Sequence, residues 1–191
     1  MDSSRSIEIE RRAAGVVLTM PTWAVSIVSI VIGAILTASL AFWRDRYDTR
    51  HKRMRLEKAI CGELLVNHSS LFGTLVTDYD FNRVASHQTP FGGMFTFDAL
   101  ESAKSQSDIL YEVPNYAALR TLYKMYHGMT ELKGGGQSME ALARDGVSTF
   151  ETFFAQGHIN QRLVLHLSET CAPNLKSRLE GLRDGQITPG A

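Results

Sequence analysis

The dominant pattern along the chain is one long apolar run followed by a series of amphipathic segments. From Ala13 to Trp43 no residue carries a charge. The densest part, Trp23 to Trp43, would form a helix of about 31 Å at 1.5 Å per residue. That length matches a bilayer hydrocarbon core of about 30 Å. Trp23 and Trp43 bracket the run, and indole rings favour the half-wet headgroup level. Pro21 stands just before it, where a missing N–H costs least, and Thr19 or Thr22 can cap. The expectation is a transmembrane helix over residues 23–43. The competing reading is a cleaved signal peptide, with Arg11-Arg12 as its basic region and Ser39-Leu-Ala41 as a small-x-small cut. The run is longer than a secretory apolar region, and a Trp and a basic cluster follow it, which is a stop-transfer pattern. A soluble core helix rarely needs so long a charge-free stretch.

Beyond the run the periodicity becomes that of amphipathic helices. No proline lies between Pro21 and Pro90, and no glycine between Gly33 and Gly62. The apolar helix is therefore predicted to continue unbroken into residues 44–76. There Leu56, Ile60, Leu64, Leu65, Leu71, Phe72, Leu75 and Val76 recur at three- and four-residue intervals. Asn67 and His68 fall on or near that face. A turn-rich stretch follows, containing Asp78, Asp80, Asn82, Pro90, Gly92 and Gly93. A short helix is expected from Asp98 to Ser107, capped by Thr96. The next runs from Tyr116 to Leu132 with Leu119, Leu122, Tyr123, Tyr126 and Met129 inward. Gly134-Gly-Gly136 reads as a flexible connection. A helix from Ser138 to Phe154 carries Leu142, Val147, Phe150, Phe153 and Phe154, and Gly157 ends it. The last helix, Ile159 to Leu182, presents Leu163, Leu167, Cys171, Leu175 and Leu179, with Pro173 kinking or shortening it. No strand and no repeat is expected.

The fold class is thus all-α, one N-terminal transmembrane helix continuing into a cytoplasmic helical bundle. The predicted organisation is a short non-cytoplasmic tail (1–22), the span (23–43), a basic stalk and first bundle helix (44–76), a helical domain (77–184) and a flexible tail (185–191). At 191 residues, the part beyond the stalk suffices for one core and no more.

Charge adds an orientation. The chain is neutral overall, but residues 44–58 carry a net charge of +4 and residues 59–191 a net charge of −4. Arg44, Arg46, Arg50, Lys52, Arg53, Arg55 and Lys58 crowd the C-terminal side of the span, against Arg11 and Arg12 on the other. By the positive-inside rule the N-terminus is outside and the C-terminal domain cytoplasmic, in an inner (plasma) membrane. Trp23, Trp43, Arg44 and Arg46 are the expected interface anchors. Arg50, Lys52, Arg53, Arg55 and Lys58 form a collar for topology and anionic headgroups, each attracted by about 1 kcal/mol near the surface. The mildly acidic domain gives no reason to expect nucleic acid.

Within the span, Ser29, Gly33, Thr37 and Ala41 recur every four residues, with Ala34 and Ala38 beside them. Such a face lets two backbones approach closely, so a homo-oligomer through the membrane is expected. A cytoplasmic protein is a further candidate partner.

Several of these features occur together elsewhere. The aromatic-basic exit Trp43-Arg44-x-Arg46-Tyr47, the segment Glu63-Leu64-Leu-Val-Asn67, the segment Phe97-Asp-Ala-Leu100-Glu-Ser102, and the pair Leu119-Arg-Thr-Leu-Tyr123 and Tyr126 give an arrangement over residues 20–130. It resembles small bacterial single-pass inner-membrane proteins of uncharacterised function. The resemblance implies the architecture and a bacterial host, and it brings no catalytic residues.

The search for chemistry returns bland readings. His127 and Glu131 have a spacing that could chelate a metal or pass a proton, but neither a second helical His nor a Cys pair accompanies them. They read as an exposed pair. His166 falls inside Leu163-Val-Leu-His-Leu167 and reads as a core histidine; His158 lies two turns before it. His68, Asn67, Asp78 and Asp80 could form a polar cluster. Gly134–Gly136 and Gly92-Gly93 lack the strand and the Gly-Lys-Ser or Gly-Lys-Thr of a phosphate loop. Tyr111, Tyr116, Tyr123 and Tyr126 read as core or interface. Cys61 and Cys171 read as two buried thiols in a reducing compartment. No catalytic residue, cofactor or metal site is expected. Function is read as a membrane-anchored, self-associating interaction or regulatory protein. The alternatives are a membrane effector of the phage-defence or toxin type, lined by Ser26, Ser29, Thr37 and Ser39, and a metal-dependent hydrolase.

Overall fold

The computed structural model describes residues 22–77 and 79–190. Residues 1–21 of the predicted N-terminal tail, Asp78 and Ala191 lie outside the described residues. Every regular element among the described residues is helical. Helix α1 runs Thr22–Val76 without a break. The chain divides into two compact units, residues 1–48 and 49–191, and α1 contributes to both.

In the first unit, α1 is an apolar helix whose described side chains are all exposed, Trp23 at 67%, Ile30 at 71% and Leu40 at 70% among them. It is long and apolar enough to cross a membrane.

In the second unit the same helix acquires an inward face. Leu56, Ile60, Leu64, Leu65 and Leu71 are buried, as their spacing predicts. After a single-turn 3-10 helix at Phe81–Arg83 come α2 (Asp98–Lys104), α3 (Ser107–Leu110), α4 (Tyr116–Glu131), α5 (Gln137–Ala155), α6 (Gln161–Cys171), a second 3-10 turn (Pro173–Leu175) and α7 (Lys176–Arg183). Helix α4 packs on α5, α5 on α7, and α6 on α7. They share one core with α1. All five inward residues expected on α4 are buried.

Along the backbone the structure refines the expected elements at several places. The last predicted helix is broken at Pro173, where a disruption was expected, because proline lacks the N–H an interior position must donate; its two parts end at Cys171 and begin at Lys176. The residue before the proline, Ala172, takes φ −152° and ψ 64°, outside the helical region, as a pre-proline residue prefers. The predicted short helix, Asp98 to Ser107, ends early at Lys104, and a separate turn of helix, α3, begins at Ser107 and runs to Leu110. The Gly134–Gly136 connection is tied down: Gly134 N–H donates to the Gln88 carbonyl at 2.9 Å, and Gly136 N–H to the Phe81 carbonyl at 2.8 Å. A Cβ on Gly135 would fall 1.9 Å from the Phe81 carbonyl oxygen, so only glycine passes there. Finally, residues 185–190, expected as a flexible tail, fold back. Ile187 packs on Gly181, and the Gly190 N–H reaches α5.

Candidate functional site

Three features converge on the domain-side half of α1. The first is a polar clasp on one flank. Asn67 and Thr96 exchange two hydrogen bonds: the Asn67 Nδ2–H donates to the Thr96 carbonyl, and the Thr96 N–H donates to Asn67 Oδ1, both at 2.9 Å. One turn earlier, the Glu63 carboxylate accepts the Ala99 N–H at 3.1 and 3.2 Å and the Tyr123 hydroxyl. Burial and the Glu63 carboxylate push the Tyr123 phenol well above its ordinary range. The Phe97 ring lies 6.0 Å from the Tyr123 ring. Glu63 thus satisfies a backbone N–H at the start of α2, a role expected of Thr96; Thr96 spends its backbone on Asn67 instead. The three segments singled out in the sequence, around Glu63–Asn67, Phe97 and Tyr123, meet here. Their joint arrangement holds the loop to the helix and is architectural. On the other side of α1, the Asn160 side-chain amide donates to Glu57 at 2.8 Å.

The second feature is a charged group inside the core. Glu151 of α5 is fully buried. The Arg178 guanidinium of α7 binds it through both oxygens, Nε to Oε1 at 2.5 Å and Nη2 to Oε2 at 3.0 Å, and the Gly190 N–H adds a bond to Oε2 at 2.7 Å. A two-pronged guanidinium is the usual means of keeping a carboxylate charged away from water. Arg178 also lies over the Phe72 ring at 5.1 Å. His68 of α1 is fully buried beside the pair. Its ring stacks on Phe150 at 4.1 Å and 11°, and its Nε2 is 4.0 Å from Glu151 Oε1, beyond hydrogen-bond reach. Neither ring nitrogen has a hydrogen-bond partner among the described residues, and nor does the buried Tyr126 hydroxyl. Burial foremost, and the Arg178 charge second, push the His68 pKa down to about 3, so the ring is neutral and the Glu151 contact is not an ion pair. Burial and the Glu151 charge push the Tyr126 phenol up. His68 and Glu151 have no exposure, so the pair lies within the core, and Arg178 alone of the group reaches the surface, at 19%.

The third feature faces outward. Between the Thr96 segment and α6, the outer surface of α1 is the floor of an open groove of about 470 Å³. Ala59 and Gly62 keep the floor low, Leu167 and Cys171 form one wall, and Arg55 and Lys58 stand at one end. Cys171 is exposed, against the expectation of a buried thiol, because the chain turns at Pro173 and leaves the end of α6 at the surface. Cys61 is buried, and burial pushes its thiol up to about 12.

The remaining candidates are scattered. His127 and Glu131 are an exposed pair at 3.8 Å. His166 is exposed, 3.9 Å from Glu169, which corrects its reading as a core residue: it points away from the face that Val164 and Leu167 bury. His158 sits edge-on to Phe153. Asp80 pairs with Arg83 at 2.9 Å and does not join Asn67 or His68. Tyr123 and Tyr126 are core, Tyr116 is half-buried, and Tyr111 is exposed against the Tyr116 ring. Among the described residues no three metal-ligating side chains come together. In the span, Ser29, Gly33, Thr37 and Ala41 are exposed, and the Thr37 hydroxyl donates to the Gly33 carbonyl at 2.8 Å. Arg44, Arg46, Arg50, Lys52, Arg55 and Lys58 are exposed, with Arg46 5.9 Å from the Phe42 ring centroid. Arg53 differs from the rest of the collar: it is half-buried, and its Nε is shielded from solvent.

Sequence reasoning missed Glu151 and Arg178. Glu151 had a signal: it lies four residues after Val147, inside a face otherwise made of Val147, Phe150 and Phe154, where a lone acid demands a partner. Nothing in the spacing identified Arg178 as that partner. Comparisons with protein-family models, with characterised proteins and with solved structures find no match to this chain.

Proposed function

We propose that the chain is a membrane-anchored helical interaction protein. Residues 23–43 cross a bacterial inner membrane with the N-terminus outside, and the domain from Arg44 onward is held at the cytoplasmic face. The supporting observation is the change of surroundings along α1. From Leu56 onward α1 has a buried face, Leu56, Ile60, Leu64, Leu65 and Leu71, although Val66 and Val76, the latter expected on that face, are exposed; from Ser26 to Phe42 every large apolar side chain is exposed, with Phe42 itself at 62%. Each such Leu, Ile or Phe left in water forgoes about 1.5–3 kcal/mol of burial. A hydrocarbon environment removes that cost, whereas a soluble core helix would already be covered. The dense basic cluster that follows the run, a stop-transfer pattern, favours an anchor over a cleaved leader.

Cysteine labelling tests the address. Cys171 is exposed and Cys61 is buried, so a thiol reagent reads one position. In bacterial spheroplasts producing the protein, a membrane-impermeant maleimide should label Cys171 only after lysis. Labelling of intact spheroplasts would reverse the orientation, and recovery of the protein in the soluble fraction would remove the anchor.

Self-association is assigned to the Ser29, Gly33, Thr37 and Ala41 face. A Cβ on Gly33 meets nothing within 4 Å, so Gly33→Ile leaves the isolated helix undisturbed and blocks only close approach by another copy. It should reduce a membrane two-hybrid signal to that of a non-associating span, at equal protein level. An unchanged signal would exclude this face.

A further inference from the structure

We propose that the groove on the outer face of α1 binds a single-chain anionic amphiphile, with Arg55 and Lys58 holding the anionic head and the Ala59–Gly62 floor and Leu167 wall covering the alkyl chain. The groove lies within residues 55–171, so this does not require the span to cross a bilayer. Three observations carry it. First, charge is segregated: both cations stand at one end, the one acid in the lining, Glu63, is engaged by the Ala99 N–H and the Tyr123 hydroxyl, and most of the remaining lining is apolar. Among the described residues neither Arg55 nor Lys58 has an ion-pair or side-chain hydrogen-bond partner, so both are available. Their exposed heads can meet an anionic group while their methylene stems line the groove. Second, size: about 470 Å³ falls within the range of small-molecule sites, roughly 300–1,000 Å³. Nine residues line it, against the roughly 20–30 per side of a stable protein interface. Third, a second copy fits poorly. Two α1 helices packed in parallel through this face would set Arg55 against Arg55 and Lys58 against Lys58.

Cys171 lies in the wall and is the built-in reporter. The full chain, in nanodiscs of zwitterionic phosphatidylcholine, is alkylated with N-ethylmaleimide, an uncharged reagent, and the rate at Cys171 is followed by mass spectrometry. Dodecyl phosphate should slow the reaction at least fivefold and saturably. Dodecyltrimethylammonium, butyl phosphate and inorganic phosphate should not. Arg55→Glu with Lys58→Glu should abolish the protection. Gly62→Leu fills the floor, and its Cβ meets only Leu167 Cδ1 at 3.9 Å; whatever its basal rate, that rate should no longer respond to dodecyl phosphate. Equal protection by the cationic amphiphile, or protection surviving the charge reversal, would overturn the proposal. So would protection only when a two-chain acidic lipid, phosphatidylglycerol, is built into the disc, which would make the occupant a bilayer lipid. No protection by any of them would also overturn it.

Discussion

Glu151→Ala is expected to destabilise the domain by about 3–5 kcal/mol, the range for removing one partner of a buried ion pair. The geometry explains why. Arg178 is held by both carboxylate oxygens, and with Glu151 gone its guanidinium is left against Phe72 and His68. The Gly190 N–H loses its acceptor as well, so the C-terminal fold-back loosens. Arg178 retains 19% side-chain exposure, so some of its charge can reach water, which points to the lower half of the range. A loss of that size is a large fraction of the roughly 5–15 kcal/mol that typically separates folded from unfolded states. Urea unfolding of the full chain in neutral micelles, followed by helix circular dichroism, measures it. The double variant Glu151→Met with Arg178→Met removes both charges and should recover at least half of the loss. A single-variant loss below about 1 kcal/mol would mean that the pair does not hold the domain together.

The second large effect is a pH dependence carried by His68. Unfolded, its imidazole titrates near 6.5; folded, it is pushed down to about 3. Below pH 6.5 the unfolded chain therefore binds a proton that the folded domain refuses, and stability falls as pH falls. The slope is about 1.4 kcal/mol per pH unit, so His68 alone withdraws about 2 kcal/mol between pH 7.5 and 5. The folded form refuses the proton because the ring sits on Phe150, shielded from water, and faces the Arg178 cation. Glu151 does not offset this, since Arg178 and Gly190 already occupy its oxygens. His68→Leu should remove this component, so that wild type minus variant shrinks by about 2 kcal/mol over that interval. Parallel pH curves for the two proteins would show that the ring is solvated in the folded state.

The two predictions share one origin: polar groups enclosed in an otherwise apolar core at places fixed by the meeting of helices remote in sequence. That is where legibility failed. Periodicity located α1, α4 and α5 because an amphipathic face is a local property, readable at three- and four-residue steps. It identified the inward residues of α4 for the same reason. It failed for His166 and Cys171, both placed by apolar neighbours in sequence and both found at the surface, because a neighbour in sequence lies on a different face of a helix. It failed for Thr96, whose capping role passed to Glu63, 36 residues away from Ala99.

The sequence by itself determined the long apolar run, the basic collar after it, and the continuity of a helix through residues that include no breaker until Gly62. These follow from composition and local backbone chemistry, and no tertiary contact is needed to state them. Tertiary structure alone decided which polar side chains are enclosed, that Arg178 answers Glu151, that residues 185–190 return to α5, and that part of α1 floors a groove headed by two cations. Each depends on distances between residues far apart in the chain, and no local periodicity encodes those distances.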